Sequence, residues 1–478
     1  MTRTRGRWRA AAIVLAGVVG SALLPAAPAA AVHGPVPRDF NGDGYRDAVL
    51  PAPGVNVSGK EGAGAVVVLY GSASGLSTTR RKTITQNTSG VPGTSEAYDG
   101  FGTATATADL NRDGYADLVV STPYEDTPQG ADSGLVTVLW GGSGGLTNGT
   151  NLPTPSDDPG YFGLDVAALS SGPGSDTEVL VSGYDGSVRF RGPFRRTGTF
   201  GSASVNQNTA SVETVALGDV NEDLSPDEAV ITSRMSGLTG GEIYLNPESG
   251  ADRPTSLKKG NGLVAAYGDL NGDGYDDLVV GDPDEPEVAG ADGAPGGSVS
   301  IWYGSADGIA TDAQPVRISQ DTAGVPGTSE KYDAFGGSVA VVDLNHDDLA
   351  DIVVGTPYES LGGAKRAGMV TVIPGRASGA LGTGSYSYTQ DTSGMPGSSE
   401  TDDFFGTTVS AADINRDGEP ELFISASGEN LSLGAVWVLT GASTRPTTTG
   451  SKMILPSSVG LAQNTLVLLG GNGLLNVI

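Results

Sequence analysis

Six acidic nonapeptides of one design recur in this 478-residue chain: DFNGDGYRD from Asp39, DLNRDGYAD from Asp109, DVNEDLSPD from Asp219, DLNGDGYDD from Asp269, DLNHDDLAD from Asp343 and DINRDGEPE from Asp413. In each, positions 1, 3, 5 and 9 carry carboxylate or amide oxygens and the carbonyl of position 7 stays free, an oxygen-only cage suited to a hard calcium ion. Gly44, Gly114 and Gly274 at position 6 permit the sharp turn that folds these oxygens round one point. An EF-hand would place a bidentate Glu at position 12, but Leu50, Val120 and Val280 stand there. A strand follows instead. Asp117-Leu118-Val119-Val120 and Asp277-Leu278-Val279-Val280 read as buried β, so each cage is expected in the turn of a β-hairpin.

The expected ligands are Asp39, Asn41, Asp43, Tyr45 and Asp47; Asp109, Asn111, Asp113, Tyr115 and Asp117; Asp219, Asn221, Asp223, Ser225 and Asp227; Asp269, Asn271, Asp273, Tyr275 and Asp277; Asp343, Asn345, Asp347, Leu349 and Asp351; Asp413, Asn415, Asp417, Glu419 and Glu421. The seventh residue of each nonapeptide, such as Tyr45 or Leu349, contributes its main-chain carbonyl. About five or six Ca2+ ions are expected. The cages from 39, 109 and 269 are complete, whereas Asp348 replaces a glycine at one site and Leu224 with Pro226 stiffens another. A metal-free series of Asx-rich turns is the alternative; the shared ligand register favours metal.

The cages also mark a repeat. Phe101-Gly102, Phe335-Gly336 and Phe405-Gly406 each stand eight residues before a cage, and Phe162-Gly163 points to a further unit, from Ser170, whose ligands are lost. Seven units then begin at 39, 109, 170, 219, 269, 343 and 413. Four strand-like segments in each long unit predict an all-β chain: a seven-bladed β-propeller of four-stranded antiparallel blades. The first unit enters its cage with no inner strand of its own. Leu469-Gly470 mimics Phe-Gly eight residues before Val477, so the C-terminal strand is expected to complete blade one and remove the open edge.

Phe-Gly, then the cage, then Val-Val-Ser-Thr-Pro (119–123) or Val-Val-Gly-Thr-Pro (353–357) resembles the FG-GAP repeat of the integrin α-subunit N-terminal propeller and its bacterial secreted relatives. The resemblance covers nearly the whole mature chain. It implies seven blades, calcium in the hairpin loops of the lower face, and a ligand on the opposite face. The chain departs from the pattern between Ser170 and Glu178, where no cage stands, and its Gly-Ala-Pro element is at best Gly281-Asp282-Pro283 or Gly355-Thr356-Pro357.

Arg3, Arg5, Arg7 and Arg9 precede an apolar run from Ala10 to Leu24, and Ala29-Ala30-Ala31 offers a cleavage site, so residues 1–31 read as a secretory signal peptide and 32–478 as the propeller. Its removal moves the formal charge from −28 to −32. No other stretch approaches the ~20 apolar residues of a membrane span, so a free, extracellular monomer is expected. Without cysteine, such a chain relies on its core and its ions. The acidic balance argues against nucleic acid.

Three interblade segments are near copies, beginning at Gln86, Gln320 and Gln390. They place Glu96, Tyr98 and Asp99, then Glu330, Tyr332 and Asp333, then Glu400, Asp402 and Asp403, on the face away from calcium. Tyr124-Glu125 and Tyr358-Glu359 join them from the links between second and third strands. Aromatic groups beside carboxylates suit an extracellular glycan or a cationic protein patch, although the copies equally suit the packing of one blade on the next. Trp140, Trp302 and Trp437, within third strands, are expected to be buried.

Catalysis has little to work with. His33 and His346 are the only histidines, which leaves no plausible Ser-His-Asp, Cys-His or histidine–zinc arrangement, and no GxxxxGK[ST] phosphate cradle exists. The reading is a non-catalytic binding or adhesion module. A carbohydrate-binding lectin, or a polysaccharide- or ester-cleaving hydrolase using face carboxylates, is the alternative.

Overall fold

The computed structural model describes residues 36–155, 160–170, 177–184, 186–207, 211–234, 239–246, 256–286, 293–463 and 466–473. The expected signal peptide, 1–31, the stretch 171–176 within the expected lost cage, and Val477 lie outside them.

The sheets follow one another along the sequence, each an antiparallel meander. Blade one consists of Val36–Arg38, Asp47–Ala52, Ala65–Leu69 and Arg81–Ile84; blade two of Thr105–Ala108, Asp117–Thr122, Leu135–Trp140 and Asn148–Leu152. Blade three runs from Val166–Ser170 to Ser202–Gln207, blade five from Val264–Gly268 to Val316–Ile318, blade six from Ser338–Val342 to Tyr386–Tyr388, and blade seven from Phe405–Ala412 to Thr447–Ile454. In blade four, strands Val212–Gly218, Asp227–Thr232 and Ile243–Leu245 are followed by a single bridge between Tyr244 and Ser256. Inner strands of successive blades touch, and that of blade seven touches that of blade one, so the seven sheets form a closed ring.

Burial explains the apolar runs. Every residue of all seven second strands is buried, because each sheet is covered on both faces by its neighbours. Outer strands such as Arg81–Ile84 are largely exposed. The three third-strand tryptophans are buried as expected, Trp437 with its ring edge-on to Phe405.

Phe-Gly is the joint between blades. Phe101, Phe162, Phe335 and Phe405 are fully buried, and their N–H groups donate to carbonyls of the preceding blade: Ala63, Ser133, Gly296 and Ala367. The following glycine takes a positive φ, +92° at Gly102, where a Cβ would come within 2.9 Å of Val66. A second glycine, before each third strand, accepts the phenylalanine at close range; a Cβ on Gly64 would lie 2.3 Å from the Phe101 carbonyl. Only a residue without a side chain fits there.

Blade one shows how the ring closes. Leu469 N–H donates to Leu433 O and Gly470 N–H to Pro51 O, repeating the pattern of Phe101 to Ala63 and Gly102 to Ser121. The C-terminal segment therefore sits at the Phe-Gly position of blade one, but residues 466–473 form no strand, so the expected C-terminal strand is corrected to a packed turn. The expectation that blade one has no inner strand of its own is corrected: Val36–Arg38 pairs with the second strand, Arg38 opposite Asp47. Both ends of the chain thus build the seam.

Candidate functional site: hairpin cages and the opposite face

Each acidic nonapeptide turns between the inner and second strands of its blade, as the sequence predicts. The first Asp wraps its own loop: Asp39 Oδ1 accepts from Gly42 N–H at 2.6 Å and Oδ2 from Gly44 N–H at 2.9 Å. Asn41 Oδ1 accepts from Asp43 N–H at 2.8 Å, and Asp43 Oδ1 from Tyr45 N–H at 3.0 Å. The ninth residue, Asp47, is fully buried and accepts from Phe40 N–H and Gly71 N–H, which ties the loop to the end of the third strand. The other five loops repeat this core. Asp277 accepts from Leu270 and Gly304, and Asp351 from Leu344 and Gly375.

Two loops differ at the ninth position. Asp227 takes its second bond from the Asn246 side chain, and Glu421, one methylene longer, from Asn415 Nδ2. Position 6 is left-handed in every loop, including Leu224 at +64° and Asp348 at +65°, so the missing glycines strain these turns without breaking them. Position 4 is left-handed as well, from Gly42 and Gly272 to Arg112, Glu222, His346 and Arg416, a requirement the sequence reading missed.

The donor set fits a hard cation in kind: three carboxylates, an amide oxygen and a main-chain carbonyl in one turn. Among the described residues no group of three or more His, Cys, Asp or Glu is arranged to hold a metal ion. Burial pushes the acids of Asp47, Asp117, Asp277, Asp351 and Glu421 up to about 7, and the neighbouring loop carboxylates push in the same direction. Blade three solves the problem differently. Glu178, at its ninth position, pairs with Arg191 at 3.2 Å and with Arg189, which also meets Glu228 of blade four.

On the opposite face the three near-copy segments share one conformation. Gln86, Gln320 and Gln390 each donate Nε2 to Glu125, Glu359 and Glu429 of the next blade, at 2.6 to 2.7 Å. Asp99, Asp333 and Asp403 are buried and accept from the N–H of Glu96, Glu330 and Glu400, closing a turn in which Tyr98, Tyr332 and Asp402 stand at φ near +70°. The turn also latches backwards: Tyr98 donates its hydroxyl to Glu61 at 2.8 Å, and Arg366 pairs with Asp402 at 2.6 Å. These loops therefore do pack blade on blade. Of the residues singled out on this face, Glu96, Tyr98, Tyr124, Glu330 and Tyr332 are exposed, whereas Asp99, Asp333 and Glu359 are buried and Glu125 and Tyr358 half-buried.

The sequence reading missed an aromatic row. Tyr124, Tyr161 and Tyr184 meet edge to face at centroid distances of 5.8 and 6.2 Å, crossing from blade two to blade three, with Tyr184 57% exposed. Tyr161 directly precedes a Phe-Gly pair, which was the available signal. On the cage face, a cavity of about 360 Å³ opens between Arg38, Arg46, Asp39, Asp109 and Ser170.

Seven meandering sheets in a closed ring, four of whose joints are phenylalanine–glycine contacts, with acidic turns on one side, define a repeat β-propeller. The FG-GAP repeat family model matches residues 34–69, 101–139, 261–302, 335–373 and 405–439, and these five repeats together with the integrin alpha relatives support an FG-GAP, integrin-α-like propeller protein. It is 30% identical over 234 residues to integrin alpha-5 of Xenopus laevis (46% of this chain, 20% of that protein). It is 28% identical over 188 residues to integrin alpha-6 of Homo sapiens (38% and 14%). It is 24% identical over 366 residues to phosphatidylinositol-glycan-specific phospholipase D of Bos taurus (67% and 42%). The chain spans less than half the length of each. Among solved structures, exotype rhamnogalacturonan lyase YesX shares 13% identity at a TM-score of 0.40, over 89% of this chain and 73% of that one, too slight a likeness to bear on function. No helix of the described residues is long and apolar enough to cross a membrane.

Proposed function

We propose that this chain is a secreted, calcium-binding propeller that acts as a non-catalytic recognition module, with its ligand, an extracellular protein or glycan, on the face opposite the cages. The observation that carries the reading is the division of labour between the faces. Carboxylates on the cage side turn inward on their own hairpins, while tyrosines on the other side stand out: Tyr98 is 63% and Tyr332 67% exposed, each on a turn fixed by a buried Asp. Rigid, exposed aromatic groups present contact area at small entropic cost. Bound calcium would supply positive charge to the clustered acids of the hairpins. The residues of this chain that would hold it are the first, third, fifth and ninth side chains and the seventh carbonyl of each cage, and they also fix the strand register from which the opposite loops spring.

A glycan ligand is favoured over a purely protein one by the row Tyr124–Tyr161–Tyr184, of which Tyr124 feels the nearby acids Asp132 and Glu213. Sugars use both an apolar ring face and carboxylate acceptors. The test is binding of the purified protein to immobilised glycans and extracellular proteins, repeated with Tyr98→Ala, Tyr332→Ala and Tyr184→Ala. At least one replacement should weaken binding about tenfold or more, the scale of an aromatic hot spot. Binding untouched by all three would place the ligand elsewhere.

A further inference from the structure

Blade one departs from the other cage-bearing blades at two positions that flank its cage. The residue before the first Asp is Arg38, where the other five cages have Ala108, Gly218, Gly268, Val342 and Ala412. The eighth cage residue is Arg46, where the others have Ala116, Pro226, Asp276, Ala350 and Pro420. Five copies of the turn fold without a guanidinium at either position, so the blade itself does not require the pair. Both arginines line the cavity of about 360 Å³ on the cage face, together with Thr107 and Ser170 from the inner strands of blades two and three. Those inner strands touch one another and that of blade one, so the cavity lies against three consecutive blades.

Two like charges drawn to one cavity are costly. Burial and the neighbouring Arg46 charge hold the Arg38 guanidinium below the usual arginine range, and burial lowers Arg46 as well, against support from Asp413 of blade seven. Asp39 and Asp109 also reach the lining, but each of their carboxylate oxygens already accepts an N–H of its own turn: Gly42 and Gly44 on Asp39, Asp113 and Gly114 on Asp109, at 2.6 to 3.1 Å. Guanidinium groups match the paired oxygens of a carboxylate or a phosphate, and a cavity of this volume is of small-ligand size. We propose that this cavity binds a small organic oxyanion, a carboxylate or phosphate ester on a body the size of a monosaccharide, with Arg38 and Arg46 on its charged group and Thr107 and Ser170 lining the space left for its body. The bound charge would relieve the repulsion between the two arginines. This site lies on the face opposite the exposed tyrosines and does not depend on their ligand.

The test is isothermal titration calorimetry of the purified protein with glucuronate, glucose 6-phosphate and neutral glucose. At least one of the two acids should bind, the tighter of them naming the charged group, and glucose should not. Arg38→Gln and Arg46→Gln should each weaken that binding about tenfold or more, the scale of a charge-assisted hydrogen bond. Arg376→Gln, which removes a cation bonded to Thr383 O in blade six, outside the cavity, should leave it unchanged. The proposal is overturned if neither acid binds, if glucose binds as tightly as the acids, if Arg46→Gln binds as well as the parent, or if Arg376→Gln loses as much. Should Arg38→Gln fail to fold, Arg46→Gln, at a half-buried side chain, carries the readout, and Arg46→Lys, which keeps the charge but not the planar fork, should recover part of the affinity.

Discussion

At the scale of single residues, backbone handedness decides more than side-chain chemistry. Gly102 and Gly114 both sit near φ +90°, but a Cβ on Gly102 would strike Val66 and the Ala65 carbonyl, whereas one on Gly114 would meet nothing within 4 Å. Gly114→Ala should therefore cost about 1 kcal/mol of strain, and Gly102→Ala roughly 1–3 kcal/mol more, from steric conflict with the neighbouring blade. Urea denaturation of the two variants checks the order. Equal losses would mean that the blade joint is looser than its geometry. Glu125 supports a second residue-scale prediction. Its folded acid is raised to about 7 by burial, so in chelator the native state holds the proton more tightly than the unfolded chain, and the stability this gives is present below about pH 4.5 and lost as pH rises through 7. Glu125→Gln should flatten that part of the melting-temperature profile.

At the scale of elements, the seam and the missing cage are the informative cases. Leu469 is fully buried against blades seven and one, so Leu469→Ala should destabilise by about 2–5 kcal/mol, and removal of residues 466–478 by more. A truncated protein with an unchanged melt would refute the seam. Much of this was legible in the sequence. The cage register with its following valine run defines inner strand, turn and second strand without help from the rest of the chain, and Phe162-Gly163 disclosed a blade with no cage. What escaped reading has a physical cause. Val36–Arg38 is too short to carry a period-two signal, and its place is decided by Asp47–Ala52 across the hairpin. Gly64, Gly134 and Gly368 look like ordinary turn glycines until the phenylalanine of the next blade, more than 25 residues later, is seen pressing on each. Glu178 likewise looked like debris of a lost cage. In the structure it faces Arg189 and Arg191 on the adjacent strand, so a guanidinium stands where other blades concentrate oxygen.

For the whole molecule, the ninth-position acids set a common response to pH and metal. Five of them are raised to about 7 by burial, so the metal-free protein should be most stable in mild acid and should weaken as pH climbs from about 4 through 7, where these buried groups are forced to ionise. Calcium should reverse the trend by favouring the ionised form. Differential scanning calorimetry with and without chelator should show a gap in melting temperature that widens between pH 5 and 8. With ion at 100 times its dissociation constant, each independent site would add about 2.7 kcal/mol. The absence of any gap across this range would mean that the cages are held by hydrogen bonds alone.

The phenylalanine-to-glycine joint has a direction. At four junctions the ring of one blade fills the glycine hollow of the blade before it, so the contact is head-to-tail, and the series stops because the seventh blade returns to the first. A molecule whose seam is forced open would carry Leu469 free at the edge of blade one and the hollow at Gly434 empty at the edge of blade seven. Such edges are complementary to those of any other opened copy, and the predictable failure of this fold is a filament of exchanged blades, with the ordinary repeat contact as its only glue.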